Sequence, residues 1–325
     1  MVKNIYLNYL ISFIFALIFV YVIPWVGLFG EEFHDIHNYL DRIVYLNDRG
    51  TEREYAGLLW FLSEPLWKEI LIFIGYAFED YREVIYALSF GITFVYVSFL
   101  IKRVHLLIAI IFLFNPMMVH LFMEQIRIAI AFCLVLIAYD LSEDEEKLRR
   151  SSILLLIMAP LIHTAILVFY FFYYLLYKLN EKVEDKKYYL IAIITAFMVA
   201  FLMKYGANLL LVMLGDRRAN YSEVIESSSI AYSIAWFIIA IIVGTFAEFK
   251  ERKERVLVAY AIMVMCFFFF SSLLNVFAAR YVAVIMPLII ISISYLPKHF
   301  KQGTYLFLLA YNLFSFKYWL KLSLI

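Results

Sequence analysis

Four arginines and one histidine stand apart from the bulk of the positive charge in this chain. Arg127, His163, Arg217, Arg218 and Arg280 lie at the ends of apolar segments or in a polar loop. Arginine presents a planar fork of donors that fits phosphate oxygens, and imidazole exchanges a proton near neutral pH. If these residues share the membrane face opposite most of the Lys and Arg, they predict an anion site with a proton-transfer group beside it.

Two acidic residues are further candidates. Asp35 and Glu64 could each act as a general base toward a hydroxyl group, although a solvated loop position is the alternative for both. The cluster that Asp35 forms with His34 and His37 lacks a strong metal-ligand spacing, so no metal site is predicted.

Each cation also has a structural alternative. Arg127 could reach lipid headgroups or pair with Glu124, and Arg280 could anchor a helix at the membrane interface. His163 could be a hydrogen-bonded residue in a broken helix, with Thr164 as its partner. The adjacent arginine pair could simply be solvated in its loop.

The composition predicts a membrane protein. The chain of 325 residues is 65% hydrophobic, with a mean hydropathy of +0.85. Residues 5–29 carry no charge and predict a first transmembrane helix that is not removed as a signal peptide. We therefore expect an all-α polytopic bundle of about 10–11 spans, forming a single integral membrane domain over residues 1–325. Further apolar runs occupy residues 84–101, 104–122, 126–141, 151–177, 188–203, 230–246, 256–276, 281–296 and 304–320.

Two segments predict irregular helices. Residues 151–177 contain Pro160, which removes a helix hydrogen bond, so we expect two short helices, 151–161 and 164–177, with His163 at their junction. Residues 56–78 carry several charges and predict an interfacial or re-entrant helix.

The orientation follows from the loops that collect positive charge. With a cytosolic amino terminus and 56–78 not crossing, most Lys and Arg fall on the cytosolic side. The opposite side then receives the acidic segment 31–55, Glu64, Arg127, His163, the loop 215–229 and Arg280. All candidate residues would share one compartment.

Several cations, a histidine and few acids at the mouth of a membrane bundle favour glycosyl transfer from a lipid-linked diphosphate sugar. The departing diphosphate needs its charge stabilised, and fixed arginines supply this without a metal or other cofactor. A base must also deprotonate the acceptor hydroxyl.

The same residues resemble a known family. The run Gln125-Ile-Arg127-Ile-Ala-Ile-Ala131, followed by Pro160-Leu-Ile-His163-Thr-Ala-Ile166, is similar to segments of the EpsG family, which belongs with the Wzy-type polysaccharide and O-antigen polymerases. Ser63-Glu64-Pro65-Leu66 and Ala279-Arg280-Tyr281 extend the resemblance in order along the chain. The family's early Gly-x-Asp before a Tyr is absent, since Gly30-Glu31-Glu32 precedes Asp35 and Tyr39 here.

The resemblance implies a polymerase at the outer face of the bacterial inner membrane. Its donor and acceptor would be undecaprenyl-diphosphate-linked oligosaccharides, and a chain-length regulator would be a possible protein partner; no nucleic acid is expected. Arg127 and Arg280 would bind the diphosphate, Arg217 or Arg218 the same anion or sugars, and His163 would act as base or orienting group, with Asp35 and Glu64 as fallback bases. The alternatives are a GT-C-type glycosyltransferase, a repeat-unit flippase and an O-antigen ligase.

Overall fold

A computed structural model describes residues 5–30, 33–49, 58–142, 150–207, 230–249, 251–276 and 278–322. Throughout these ranges the regular elements are helices, which confirms the predicted all-α class. The helices are α1 Ile5–Leu17, continued by a π-helical turn Ile18–Val22, α2 Trp25–Phe29, α3 His34–Arg49, α4 Leu58–Leu62, α5 Pro65–Ala77, α6 Tyr81–Ile101, α7 Leu106–Leu113, α8 Pro116–Met123, α9 Ile126–Ser142, α10 Arg150–Ile162, α11 Ile166–Leu179, α12 Asp185–Leu202, continued by a π-helical turn Met203–Ala207, α13 Ile230–Phe246, α14 Arg252–Leu273, α15 Ala279–Val284, α16 Met286–Ser294 and α17 Lys298–Leu322.

The helices support a multi-pass membrane protein. In the described ranges, four helical segments are long and apolar enough to cross a bilayer, namely Ile5–Val22, Tyr81–Ile101, Lys187–Gly206 and Arg252–Leu273. The pair α7 and α8 would make a fifth span, bent by 75°. Three further apolar helices, α10, α11 and α13, are shorter. The larger number of 10–11 crossings stays a prediction.

Several apolar runs are interrupted at proline. The expectation of one helix over residues 5–29 is wrong, because the helix ends at Val22 and a separate turn of helix begins after Pro24. The run 104–122 divides at Asn115, which caps α8 with its side chain, and the run 281–296 divides before Pro287. Proline lacks the N–H that a continuous helix needs but fits the first turn of a new one.

The chain forms two compact units, Met1–Leu167 with Asn312–Ile325, and Val168–Tyr311. In the first unit, α6 packs against α1 and α9, and α9 packs against α10. The amphipathic helix α3 lies on α5 and buries Ile36, Tyr39, Ile43 and Leu46 at helical spacing, while the other side chains from His34 to Asn47 are more exposed. Gly75 of α5 makes this approach close, since a Cβ there would lie 1.7 Å from the Asn47 amide nitrogen.

In the second unit, α14 is the central helix and packs against α12 and α13. The buried Arg255 near its start donates to the backbone carbonyls of Asn180 and Val183, both at 2.6 Å, and stacks over the Tyr188 ring. A guanidinium can satisfy several carbonyls at once, so Arg255 fixes the turn between α11 and α12.

One ion cluster joins α6 to α9 in the first unit. Asp140 accepts from Lys102 Nζ at 2.8 Å and from Arg103 Nη2 at 2.7 Å, and Arg103 stacks over the Phe99 ring at 3.9 Å. Asp140 lies 13 residues beyond Arg127 on α9, about 20 Å along the helix axis. The Lys102–Arg103 cluster and Arg127 therefore occupy opposite ends of α9, as the charge-based orientation requires.

Replacing Asp140 with Asn should lower the free energy of unfolding by about 1–2 kcal/mol, because two partly buried cations lose their counter-ion. Unfolding in detergent, followed by tryptophan fluorescence, measures the change. Glu184→Gln is the matched control, since Glu184 pairs with Lys187 at an exposed position and its loss should be nearly silent. Equal stability of the two variants would show that the Asp140 cluster does not hold α6 to α9.

Candidate functional site

The candidate site is centred on Glu64, which lies in the turn between α4 and α5. Its backbone is left-handed, with φ 58° and ψ 60°, and Pro65 follows as the first residue of α5. Proline disfavours a right-handed helical conformation in the residue before it, and a left-handed conformation costs a non-glycine residue on the order of 1–3 kcal/mol. The rest of the structure therefore holds Glu64 in place, with its side chain only 8% exposed.

Arg127 reaches Glu64 from the first turn of α9. Its Nη1 donates to Glu64 Oε2 at 2.8 Å, and 39% of its side chain remains exposed. Arginine has five N–H donors in a fixed plane. An anion could therefore be bound by Arg127 while its ion pair with Glu64 is kept.

His163 reaches the other oxygen of the same carboxylate. It lies between α10, which ends at Ile162, and α11, which begins at Ile166, so the predicted helix break at His163 is confirmed. Its Nδ1 is 2.6 Å from Glu64 Oε1. Since an ionised carboxylate only accepts, Nδ1 must carry the proton, and in the neutral ring Nε2 is then a proton acceptor.

Two further groups surround the Glu64 carboxylate. The Thr164 backbone N–H and hydroxyl lie 3.3 and 3.4 Å from Oε1. Burial alone would raise the pKa of Glu64, but the hydrogen bond and charge of His163, the charge of Arg127 and the Thr164 N–H together lower it to about 2. Glu64 is thus ionised throughout the physiological range, which disfavours it as a general base and suits it to orient its two partners.

Tyr39 of α3 lies beside the site. Its hydroxyl donates to the backbone carbonyl of Glu124 at 3.2 Å, and its ring packs edge-on against Trp67. Burial raises the pKa of Tyr39 to about 12, with a further contribution from Asp35, although the Arg127 charge opposes both. Tyr39 therefore remains a neutral donor that ties α3 to the segment preceding Arg127.

The structure brings together three of the sequence-predicted residues, Arg127, His163 and Glu64. Asp35 lies nearby in the first turn of α3, partly exposed, where it accepts from the Asn38 side chain at 3.1 Å. Across the part of the chain that the structure describes, no group of three His, Cys, Asp or Glu side chains could hold a metal ion.

The remaining predicted cations are Arg280, Arg217 and Arg218. Arg280 belongs to the second unit, in the first turn of α15, where it is partly exposed and lies 5.8 Å from the centre of the Tyr281 ring. Arg217 and Arg218 lie outside the described residues. The diphosphate-binding roles of these three arginines stay predictions.

The sequence did not reveal which side chains are hydrogen-bonded or ion-paired to one another in this region. Glu124, proposed as an alternative partner of Arg127, instead pairs with His120, four residues earlier. Thr164, proposed as a partner of His163, lies within hydrogen-bond distance of Glu64. Glu64 was predicted only as a fallback base. Its position before proline in a charged, interrupted segment was the available signal that it serves another purpose.

The site combines a guanidinium with an exposed part, a histidine with a fixed tautomer and a buried carboxylate that holds both. This arrangement, in a multi-pass helical membrane protein, suits reactions that develop negative charge and remove a proton from a hydroxyl.

A comparison with known protein families agrees with this kind of reaction. The sequence matches the EpsG family over residues 8–324, nearly the whole chain, and the protein belongs to this family of Wzy-type polymerase-like proteins. Membership indicates a polysaccharide polymerase-like role with glycosyltransferase-like chemistry in general. Comparisons with curated proteins and with solved structures gave no match.

The low pKa of Glu64 predicts a particular dependence of stability on pH. Because the folded pKa of about 2 lies below the ordinary value of 4.5, the stabilisation is fully present above pH 4.5 and is lost as the pH falls toward 2. The stability advantage of the wild type over Glu64→Gln should therefore shrink as the pH falls from about 4.5 toward 2. Detergent unfolding at several pH values tests this. An advantage that is unchanged down to pH 3 would contradict the buried ion-pair geometry.

Proposed function

We propose that this protein joins undecaprenyl-diphosphate-linked oligosaccharide repeat units into O-antigen, capsule or exopolysaccharide chains. The growing chain would move from its own lipid diphosphate to the non-reducing-end sugar of a new lipid-linked unit. The reaction would take place at the outer face of the bacterial inner membrane. The observation that carries the proposal is the Glu64 carboxylate, which holds Arg127 and His163 in one cluster.

In the proposed reaction, the acceptor hydroxyl oxygen forms a bond to the anomeric carbon of the donor sugar. The bond from that carbon to the diphosphate oxygen breaks, and its electron pair leaves with the lipid diphosphate. The hydroxyl proton passes to Nε2 of His163, whose Nδ1–H points to Glu64. Glu64 stabilises the resulting imidazolium, as a buried carboxylate does for the histidine of a catalytic triad.

Arg127 would stabilise the departing diphosphate. The donors not used by Glu64 can meet phosphate oxygens, and a preorganised cation is worth most where charge develops. Arg280 and one of Arg217 or Arg218 are proposed to add positive charge to the same anion, since one arginine already paired with a carboxylate supplies no net charge. The arginines would then stabilise the negative charge of the diphosphate, and the reaction would not require a metal.

The location of the site favours membrane-bound donors. Arg127 lies in the first turn of an apolar helix, and the cluster of Lys102, Arg103 and Asp140 lies at that helix's other end. A polyprenyl tail could therefore lie among apolar helices while its diphosphate meets Arg127. We infer that the protein is embedded in the membrane in part because its substrate carries a lipid tail.

Arg127→Lys, His163→Gln and Glu64→Gln should each abolish long chains on the cell surface, at least hundredfold by polymer yield, while a single repeat unit is still displayed. Arg127→Lys keeps the charge but loses the planar fork. The measurement is the size distribution of surface polysaccharide in a deletion strain complemented with each variant at matched protein levels.

Arg252→Gln is the matched control, because Arg252 forms an exposed ion pair with Glu181. It should leave the ladder unchanged. Long chains in the Arg127 and His163 variants would remove these residues from the site. Absence of any surface repeat unit in the deletion strain would favour a transferase or flippase instead.

A further inference from the structure

A second polar cluster lies in the first unit, separate from the Glu64 carboxylate. His120 near the end of α8 is hydrogen-bonded through Nδ1 to the carboxylate of Glu124, just after that helix. The two side chains are 28% and 19% exposed. Both side chains are therefore more exposed than that of Glu64, at 8%.

Aromatic side chains border this pair. The Trp319 ring of α17 lies 3.8 Å from the His120 ring, centre to centre, and Phe33 lies 6.0 Å from it. Phe29 packs edge-on against Trp319 at 5.2 Å. Trp319 is itself partly exposed, so an amphipathic ring, an imidazole and a carboxylate meet at one accessible place.

The pair is linked to the candidate catalytic cluster through the backbone. Glu124 precedes Arg127 by three residues, and its carbonyl accepts from Tyr39. The intervening Gln125 has a buried side-chain oxygen that accepts no hydrogen bond from the described residues.

We propose that His120, Glu124 and Trp319 form a carbohydrate subsite for the acceptor oligosaccharide. A sugar presents an apolar C–H face and a ring of hydroxyls, which match an aromatic ring beside a carboxylate and an imidazole. A carboxylate next to the ring would repel a diphosphate, so this subsite is suited to the uncharged part of the substrate. The inference rests on the proposed polymerase function and specifies where the acceptor sugar lies.

The test uses purified protein in detergent and two soluble probes. The first is the repeat-unit oligosaccharide released from the host's lipid-linked pool by mild acid, and the second is inorganic diphosphate. Binding of the oligosaccharide is followed by saturation-transfer NMR, and binding of diphosphate by calorimetry. Trp319→Leu and Glu124→Gln should weaken oligosaccharide binding on the order of tenfold and leave diphosphate binding unchanged.

Three further variants separate the subsite from general damage. Trp319→Phe keeps an aromatic face and should retain most of the binding, and Trp60→Leu, at a 49% exposed tryptophan outside the cluster, should bind as the wild type does. Arg127→Gln should weaken diphosphate binding and spare the oligosaccharide.

Unchanged oligosaccharide binding by Trp319→Leu, or no binding by the wild type, would overturn the subsite. That result would leave the polymerase proposal standing if surface chain length still depends on Arg127. Conversely, weakened oligosaccharide binding in Trp319→Leu together with Arg127-independent chain length would retain a carbohydrate site and remove the proposed polymerase chemistry.

Discussion

The Glu64 carboxylate is held in a strained turn and contacts the side chains of Arg127 and His163, which come from distant parts of the chain. Arg127 comes from the start of α9 and His163 from the break between α10 and α11, yet each binds one oxygen of the same group. Burying a carboxylate is costly unless it is paired and hydrogen-bonded, so the three residues stabilise one another's positions. Removing the Glu64 carboxylate would take from Arg127 and His163 the one group that both of them contact.

The surrounding helices make this contact possible. The short α4, the Glu64 turn and α5 form an interrupted segment, and α5 packs against α3 on one side and α10 on another. Tyr39 on α3 extends the network to Glu124, and α9 then extends from Arg127 toward the Asp140 cluster. Polar contacts thus lie at the two ends of α9, with an apolar helix between them, as expected for a segment within a bilayer.

Much of the fold was predictable because membrane helices leave a strong sequence signal. The apolar runs follow from hydropathy, and the helix break at His163 follows from Pro160. The breaks after Val22 and before Pro116 and Pro287 were missed, since a proline at the first turn of a new helix leaves the hydropathy of a run unchanged.

The sequence predicted which residues belong to the candidate site, but it did not predict which of them contact one another. Residue chemistry and the charge-based orientation predicted that Arg127, His163 and Glu64 share one membrane face. Which carboxylate meets which cation depends on backbone positions separated by 63 and 99 residues, and no local pattern encodes them. For the same reason Glu124 was predicted as an alternative partner of Arg127. In the structure it pairs instead with His120, which lies four residues earlier in the chain.

A double-mutant cycle on polymerisation rate tests most directly whether Glu64 and His163 act as one unit. Purified wild type, Glu64→Gln, His163→Gln and the double variant would be assayed in proteoliposomes with lipid-linked repeat units. If the Glu64 carboxylate acts by orienting His163, the rate losses of the two single variants should not multiply in the double variant, because Glu64 without His163 has only Arg127 left to orient. Rate losses that multiply would contradict this, since they would mean that the two side chains act independently.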